Sequence, residues 1–380
     1  MGAHHMSWLV VLRLPRTASF LYRTAFAYPK TSSSTPGRRS LGRRPHICTM
    51  AETLLQNIPK YTLQHTLNTP APITALAFGH SGHLYAASGT SIAPSSTHRL
   101  LGSQTGPPDD GSLRVYDLSS SKVVRAVHGL GEEISSLACL KRAGSELRDV
   151  WLALGCKMLL FRMDQEKLVQ IEADALEVIE VEDKGDDVLN EICGLVKFIP
   201  DRPREIVSGG YDSCLLHFDF VQGTVLSRRE IPVAASTEGM SLSPPFLMSA
   251  AFGGTGVMAA GTADGRIWVG CGGEKGVKAA KKRRKWDGLD PGHELIEKVS
   301  EGPIVAMSFS DPLTVTFSTL LGTVSQYTIF RQDDESHLVN IWQESTGVAK
   351  TNALVVDQHR FVVAGLTSNA RGIIEMWCKS

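Results

Sequence analysis

One eight-residue ruler recurs along this chain: a tight turn, an alternating strand, and an aromatic residue near the strand's end. Its clearest copy runs from Asp110 to Asp117, with Asp110-Gly111 as the turn and Tyr116-Asp117 at the close. An Asp-Gly pair before alternating residues is a hairpin signal. Asp212 repeats the pattern and ends it on Phe218-Asp219. The copies from Leu321 and from Arg371 keep the strand and the aromatics Tyr327 and Trp377 but lose the acid, and a weaker copy runs from Gly155 to Phe161-Arg162. In the copy that starts at Asp264 the aromatic, Trp268, stands two places early. Side chains alternate along a strand, so a shift of two keeps it on the same face. The six copies end 45, 57, 52, 57 and 50 residues apart. A period of this length predicts an array of small sheets rather than one continuous core.

Each terminal strand follows two others of the same kind. Residues 73–78 and 83–89 lead into the first copy, 193–198 and 205–210 into the third, 245–252 and 256–261 into the fourth, and 304–309 and 313–317 into the fifth. Their apolar residues fall on both faces, as expected where four-stranded sheets stack radially. With 35 Gly among 380 residues the composition favours turns and strands, and the predicted fold class is all-β. At this point the chain resembles the WD-repeat β-propellers, with six recognisable blades. The sequence stops at Ser380, straight after a third strand, while residues 60–67 alternate as a strand with no blade of their own. Pairing the two would close the last blade and protect its edge.

Within that family the stretches 193–219 and 243–270 resemble the WD repeat-containing protein 53 group, over about half the chain. The group's lysine-rich insertion and acidic Asn-Glu segment have counterparts at residues 275–285 and 172–191. The resemblance implies a seven-blade pattern. Residues 186–192 read as one blade's opening strand and residues 193–198 as the next blade's, which places an absent blade at Ile192–Cys193. It also implies a non-catalytic scaffold acting as a substrate receptor for cullin-4 ubiquitin ligases. That role normally uses an Arg two places after the Trp-Asp pair. Here those places hold Ser119 and Val221.

No catalytic, cofactor or metal residue is expected from the sequence. The Gly-rich runs 270–276 and 253–256 lack the Lys-Ser/Thr of a phosphate loop and the spacing of a dinucleotide loop. His293-Glu294 lacks the second histidine of a zinc-protease helix. Asp110, Asp212 and Asp264 sit in strand-connecting turns, where capping the backbone is the expected role of an Asp. Seven scattered cysteines with no C-x-x-C pair read as reduced thiols rather than a disulfide or zinc framework. No apolar run approaches the roughly 20 residues a membrane-spanning helix needs. An enzyme with central-channel carboxylates or histidines remains the competing class.

Charge divides the chain. The 39 Lys+Arg and 39 Asp+Glu balance overall, yet residues 1–49 hold seven Arg, one Lys and no acid, leaving 31 basic against 39 acidic residues beyond them. This segment reads as a disordered leader outside the fold at 50–380, and three readings stay open: a mitochondrial transit peptide, translated upstream sequence before Met50, or a plain tail. Insertions are expected at 92–109, rich in Ser, Thr, Gly and Pro, and at 271–292. The second carries Lys281, Lys282, Arg283, Arg284 and Lys285, a nuclear-localisation candidate. That implies a nuclear or cytoplasmic protein and keeps open an RNA- or chromatin-associated assembly role. With Trp286 as the one aromatic beside the run, sequence-specific nucleic-acid binding is not expected.

Overall fold

The structure is a computed structural model that describes residues 60–79, 82–90, 110–140, 148–155, 157–180, 195–233, 243–254, 256–270, 286–332 and 335–380. Each predicted copy of the ruler is a strand, and the strands assemble in chain order. After β1 (Tyr61–Thr69), blade I takes β2 (Ile73–Phe78), β3 (His83–Thr90), β4 (Asp110–Asp117) and β5 (Lys122–Val127). Blade II takes β6 (Ile134–Leu140), β7 (Asp149–Leu154) and β8 (Lys157–Arg162). The two-residue β9 (Val169–Gln170) then runs parallel beside β5 as a fifth strand of blade I, and β10 (Glu177–Glu180) returns to complete blade II. Blade III holds β11 (Leu195–Phe198), β12 (Glu205–Gly209), β13 (Cys214–Asp219) and β14 (Thr224–Glu230). Blade IV holds β15 (Leu247–Phe252), β16 (Met258–Thr262), β17 (Arg266–Gly270) and β18 (Glu294–Lys298). Blade V holds β19 (Ile304–Asp311), β20 (Thr314–Thr319), β21 (Thr323–Gln332) and β22 (Glu335–Ser345). Blade VI holds β23 (Lys350–Val356), β24 (Arg360–Leu366) and β25 (Gly372–Lys379).

Blade VI is finished by β1, which pairs antiparallel with β25 from Tyr61 opposite Lys379 to Thr69 opposite Gly372. The N-terminal strand thus closes the last blade, and the fold is an all-β, six-bladed propeller. The shared edge is fixed further at the chain's end, where the Ser380 amide donates to the Lys60 carbonyl at 2.8 Å.

Neighbouring blades are joined by apolar cores, as expected for sheets buried on both faces. Blades I and II share Leu113, Val115, Leu152 and Phe161; blades III and IV share Val207, Leu215, Met258 and Trp268. Blades IV and V share Ile267, Val269, Phe317 and Tyr327; blades V and VI share Val324, Phe361 and Val363. Blades VI and I share Ile374, Met376, Leu84 and Tyr116. The innermost strands follow suit, with β2 packed on β6 and β23, β15 on β11 and β19, and β19 on β23. Among the described residues no core and no comparable strand packing joins blade II to blade III. Residues 181–194, including the predicted missing-blade junction at Ile192–Cys193, lie outside the described residues, as do 1–59, 91–109 and 271–285.

Candidate functional site

The signature aromatics end up where the repeat places them, each facing the blade before its own. Tyr116 lies in the core shared with blade VI, Phe161 in that with blade I, and Trp268 in that with blade III. Tyr327 lies in the core shared with blade IV, while Trp377 packs against that shared with blade V and stacks on Phe361 at 5.7 Å. The early position of Trp268 therefore preserves its face. Phe218 is buried too, on the face turned toward blade II, where the described residues form no shared core.

The turn acids hold backbone. Asp212 Oδ1 accepts from the Cys214 amide at 3.2 Å, and Asp219 Oδ1 from the amides of Val221 and Gln222 at 3.0 and 2.9 Å. Asp117 accepts from the Ser119 amide and from the hydroxyls of Ser119 and Ser120, and this donation holds its carboxyl below the usual range. Ser119 and Val221 are consequently turn residues, exposed, with no cationic head to offer a partner. Asp110 opens β4, and Gly111 next to it needs its φ of 69°, a conformation that glycine adopts freely. Asp264 differs from the other turn acids: it is only 5% exposed and is paired with the equally buried Arg266, Nε to Oδ2 at 2.7 Å.

Other polar side chains, buried or partly buried, tie strands together. Glu294 accepts from Trp268 Nε1 at 2.8 Å and from Arg229 Nε at 2.6 Å, joining the outer strands of blades III and IV. Glu375, 3% exposed, accepts from the Gly347 amide and from Trp377 Nε1. His217, fully buried, shares hydrogen bonds with Glu205 at 2.8 Å and Ser227 at 3.2 Å. Glu294 and His217 escape a sequence reading because their partners lie 10 to 65 residues away. Trp286, read as part of an insertion, is 3% exposed and packs with Leu289 into the core between blades III and IV, its Nε1 donating to the Gly256 carbonyl. Burial pushes the thiol of Cys139 and the phenol of Tyr85 each up to about 12.

Among the described residues no group of His, Cys, Asp and Glu is placed to hold a metal ion, and no helix is long and apolar enough to cross a membrane. The basic candidates at 281–285 lie outside the described residues, so the structure shows no surface for them. Apolar side chains stand exposed mainly at turns and edges: Tyr211, Val221, Val233 and Leu321 at 51, 58, 78 and 76%. Tyr211 packs edge-on against Phe246 at 5.3 Å.

The topology defines the class of molecule as a β-propeller. A solved structure, the β-propeller domain of Cps50 (Swd1) from Myceliophteria thermophila, is similar to this chain at 13% sequence identity, with a TM-score of 0.44 over 84% of this chain and all of that one. No family model and no curated protein matches the sequence.

Proposed function

We propose that the chain is a non-catalytic protein-interaction scaffold of the WD-repeat type, binding partners through the loops at its blade ends. The support is that, among the described residues, the buried Asp264, Glu375 and His217 and the partly buried Glu294 are held by structural partners: Asp264 by Arg266, Glu375 by Trp377, His217 by Glu205, and Glu294 by Trp268 and Arg229. A carboxylate or imidazole saturated by strand-joining hydrogen bonds is poorly placed to exchange protons with a substrate. Loops on a rigid scaffold are where binding residues concentrate. Affinity purification of the full chain with quantitative mass spectrometry tests this: stoichiometric protein partners are expected, whereas stoichiometric bound metal with no partner would overturn it.

The finer reading, a receptor for a cullin-4 ligase, rests on the resemblance to the protein 53 group and lacks the expected Arg at Ser119 and Val221. Recovery of the cullin adaptor in the same purification is its test. The run at 281–285 supports nuclear entry. Replacing these five residues with Ala should exclude the chain from the nucleus, and loss of RNA or DNA binding instead would favour the assembly-factor reading.

A further inference from the structure

The connection from β8 to β10 does not pass straight from one strand of blade II to the next. It crosses to blade I, where Val169 and Gln170 stand beside Ala126 and Val127 of β5. There the Ala126 and His128 amides donate to the Leu168 and Gln170 carbonyls at 3.0 and 3.1 Å. A single helical turn at Glu172–Asp174 brings the chain back, and the Leu176 amide donates to the Leu160 carbonyl at 2.8 Å as β10 begins.

The registers decide which way these side chains face. Val127 belongs to the core shared by blades I and II, so Gln170 beside it, and Leu168 two places earlier, lie on the face of blade I turned to blade II. Leu159 belongs to the same core, so Val178 opposite it, and Leu176 two places earlier, lie on the face of blade II turned to blade I. These residues form an apolar groove at the outer mouth of the joint. Leu168 is one wall, Leu176 and Val178 the other, and the shared core, with Ala175 packed against it, is the floor. The three wall residues are 58, 46 and 48% exposed. Of the sixteen large apolar side chains exposed among the described residues, five lie between 168 and 178, and Val123 and Val124 of β5 add two more. Scattered single exposures are ordinary, whereas a contiguous set marks a contact surface.

Charge indicates what covers it. Residues 163–180 carry six acids and one lysine. Lys167 pairs with Asp174 and Lys157 with Glu172, while Glu166, Glu177 and Glu180 stay exposed. The Glu172 hydrogen bond holds the Lys157 ammonium above its ordinary pKa, with Glu180 and Glu132 adding to the effect, so one cation answers three carboxylates. A rim of this sign repels nucleic acid and anionic lipid and attracts cations. The backbone indicates an extended occupant. β10 ends the strand order of its sheet, so its outer edge pairs with no strand among the described residues, and β9 has already joined the edge of β5 next door.

We propose that the groove between β9 and β10 is a docking site for an extended segment of another protein in which apolar residues alternate with Lys or Arg. The segment adds to the outer edge of β10. Its apolar side chains cover Leu168, Leu176 and Val178, and the cations on its other face meet Glu177. The proposal rests on the scaffold reading and deepens it, moving the contact from the blade ends to the outer rim.

Peptide display tests it. Random peptides of about twelve residues are selected against the full chain, and their affinities are measured on the wild type, Leu168→Ser, Glu177→Lys and, as a blade-end control, Leu321→Ser. The expected peptides alternate apolar residues with Lys or Arg, bind Leu168→Ser and Glu177→Lys about tenfold more weakly, and are indifferent to Leu321→Ser. Their binding should weaken as salt rises from about 50 to 500 mM. Leu168→Ser should keep its thermal midpoint within about 2 °C of the wild type, because this side chain is exposed in the free chain. A larger drop would show Leu168 holding the fold together and would overturn the proposal. So would selection of acidic or helically periodic peptides, selection of none, or binding that ignores Leu168→Ser. A doubling of mass in light scattering that Leu168→Ser abolishes would give the groove to a second copy of the chain and overturn it as well. Peptides that depend on Leu321 and not on Leu168 would remove the groove and leave the loop-binding scaffold standing.

Discussion

Removing the carboxylate of Asp264 should be among the most damaging single changes in the chain. The residue lies in the turn between β16 and β17, where Thr262 Oγ1 donates to it and Arg266 Nε meets it at 2.7 Å. The Arg266 side chain is 7% exposed, and its other described bond is Nη2 to the Pro232 carbonyl at 2.7 Å. Asp264→Ala therefore leaves a guanidinium in the interior with one neutral acceptor and no counter-charge. Breaking a buried pair from one side costs about 3–5 kcal/mol, a fifth or more of the roughly 5–15 kcal/mol that holds a typical domain folded. Replacing both partners by apolar residues of similar size removes the desolvation penalty with the attraction, so Asp264→Leu/Arg266→Met should cost no more than about 2 kcal/mol. Urea unfolding of the wild type, both single variants and the double variant closes the cycle. A cost under about 1 kcal/mol for Asp264→Ala, or a double variant that loses the sum of the singles, would contradict a buried Arg266 that depends on Asp264 for its counter-charge.

Two further outcomes follow from the same structure. Gly265 sits at φ 80° and a Cβ there would collide with the Ser300 carbonyl oxygen, so Gly265→Ala should destabilise by more than about 1 kcal/mol in urea unfolding, where an unstrained Gly→Ala would be neutral or stabilising. Cys139, pushed from 9.0 to about 12, and Tyr85, from 10.0 to about 12, are raised by burial, so the protonated forms favour the fold. Their contribution is complete below pH 9 and is lost as pH rises to about 12, because the unfolded chain releases these protons first. Stability measured against pH should fall across that window and Cys139→Ala should delay the onset by about one unit, toward the ordinary tyrosine pKa; a curve flat to pH 12 contradicts the burial of both groups.

The blades were legible because a turn, an alternating strand and an aromatic are all local signals. Tyr116, Trp268, Tyr327 and Trp377 could each be read from eight residues. The closing pair was legible for a different reason: residues 60–67 made a strand with no blade, and the last blade lacked one. The outer strands were not. Thr224–Glu230 alternates poorly because much of it faces solvent, so little apolar burial shapes it. β9 is two residues long and pairs across blades, beyond any periodicity argument. Trp286 followed a run of cations and read as loop, whereas its indole fills the core between blades III and IV. The polar staples were illegible in principle, since Arg229 and Glu294 are 65 residues apart and only the folded ring brings them together.

Ring closure by the N-terminal strand can be tested with one substitution. Thr62 stands opposite the native Cys378 in the β1–β25 register. In Thr62→Cys, mild oxidation should link residue 62 to Cys378, identified by non-reducing peptide mapping, and raise the unfolding free energy by about 2–4 kcal/mol through closure of a long loop. A chain that forms no such link, or that joins residue 62 to Cys139 or Cys214 instead, would contradict a propeller closed by its first and last strands.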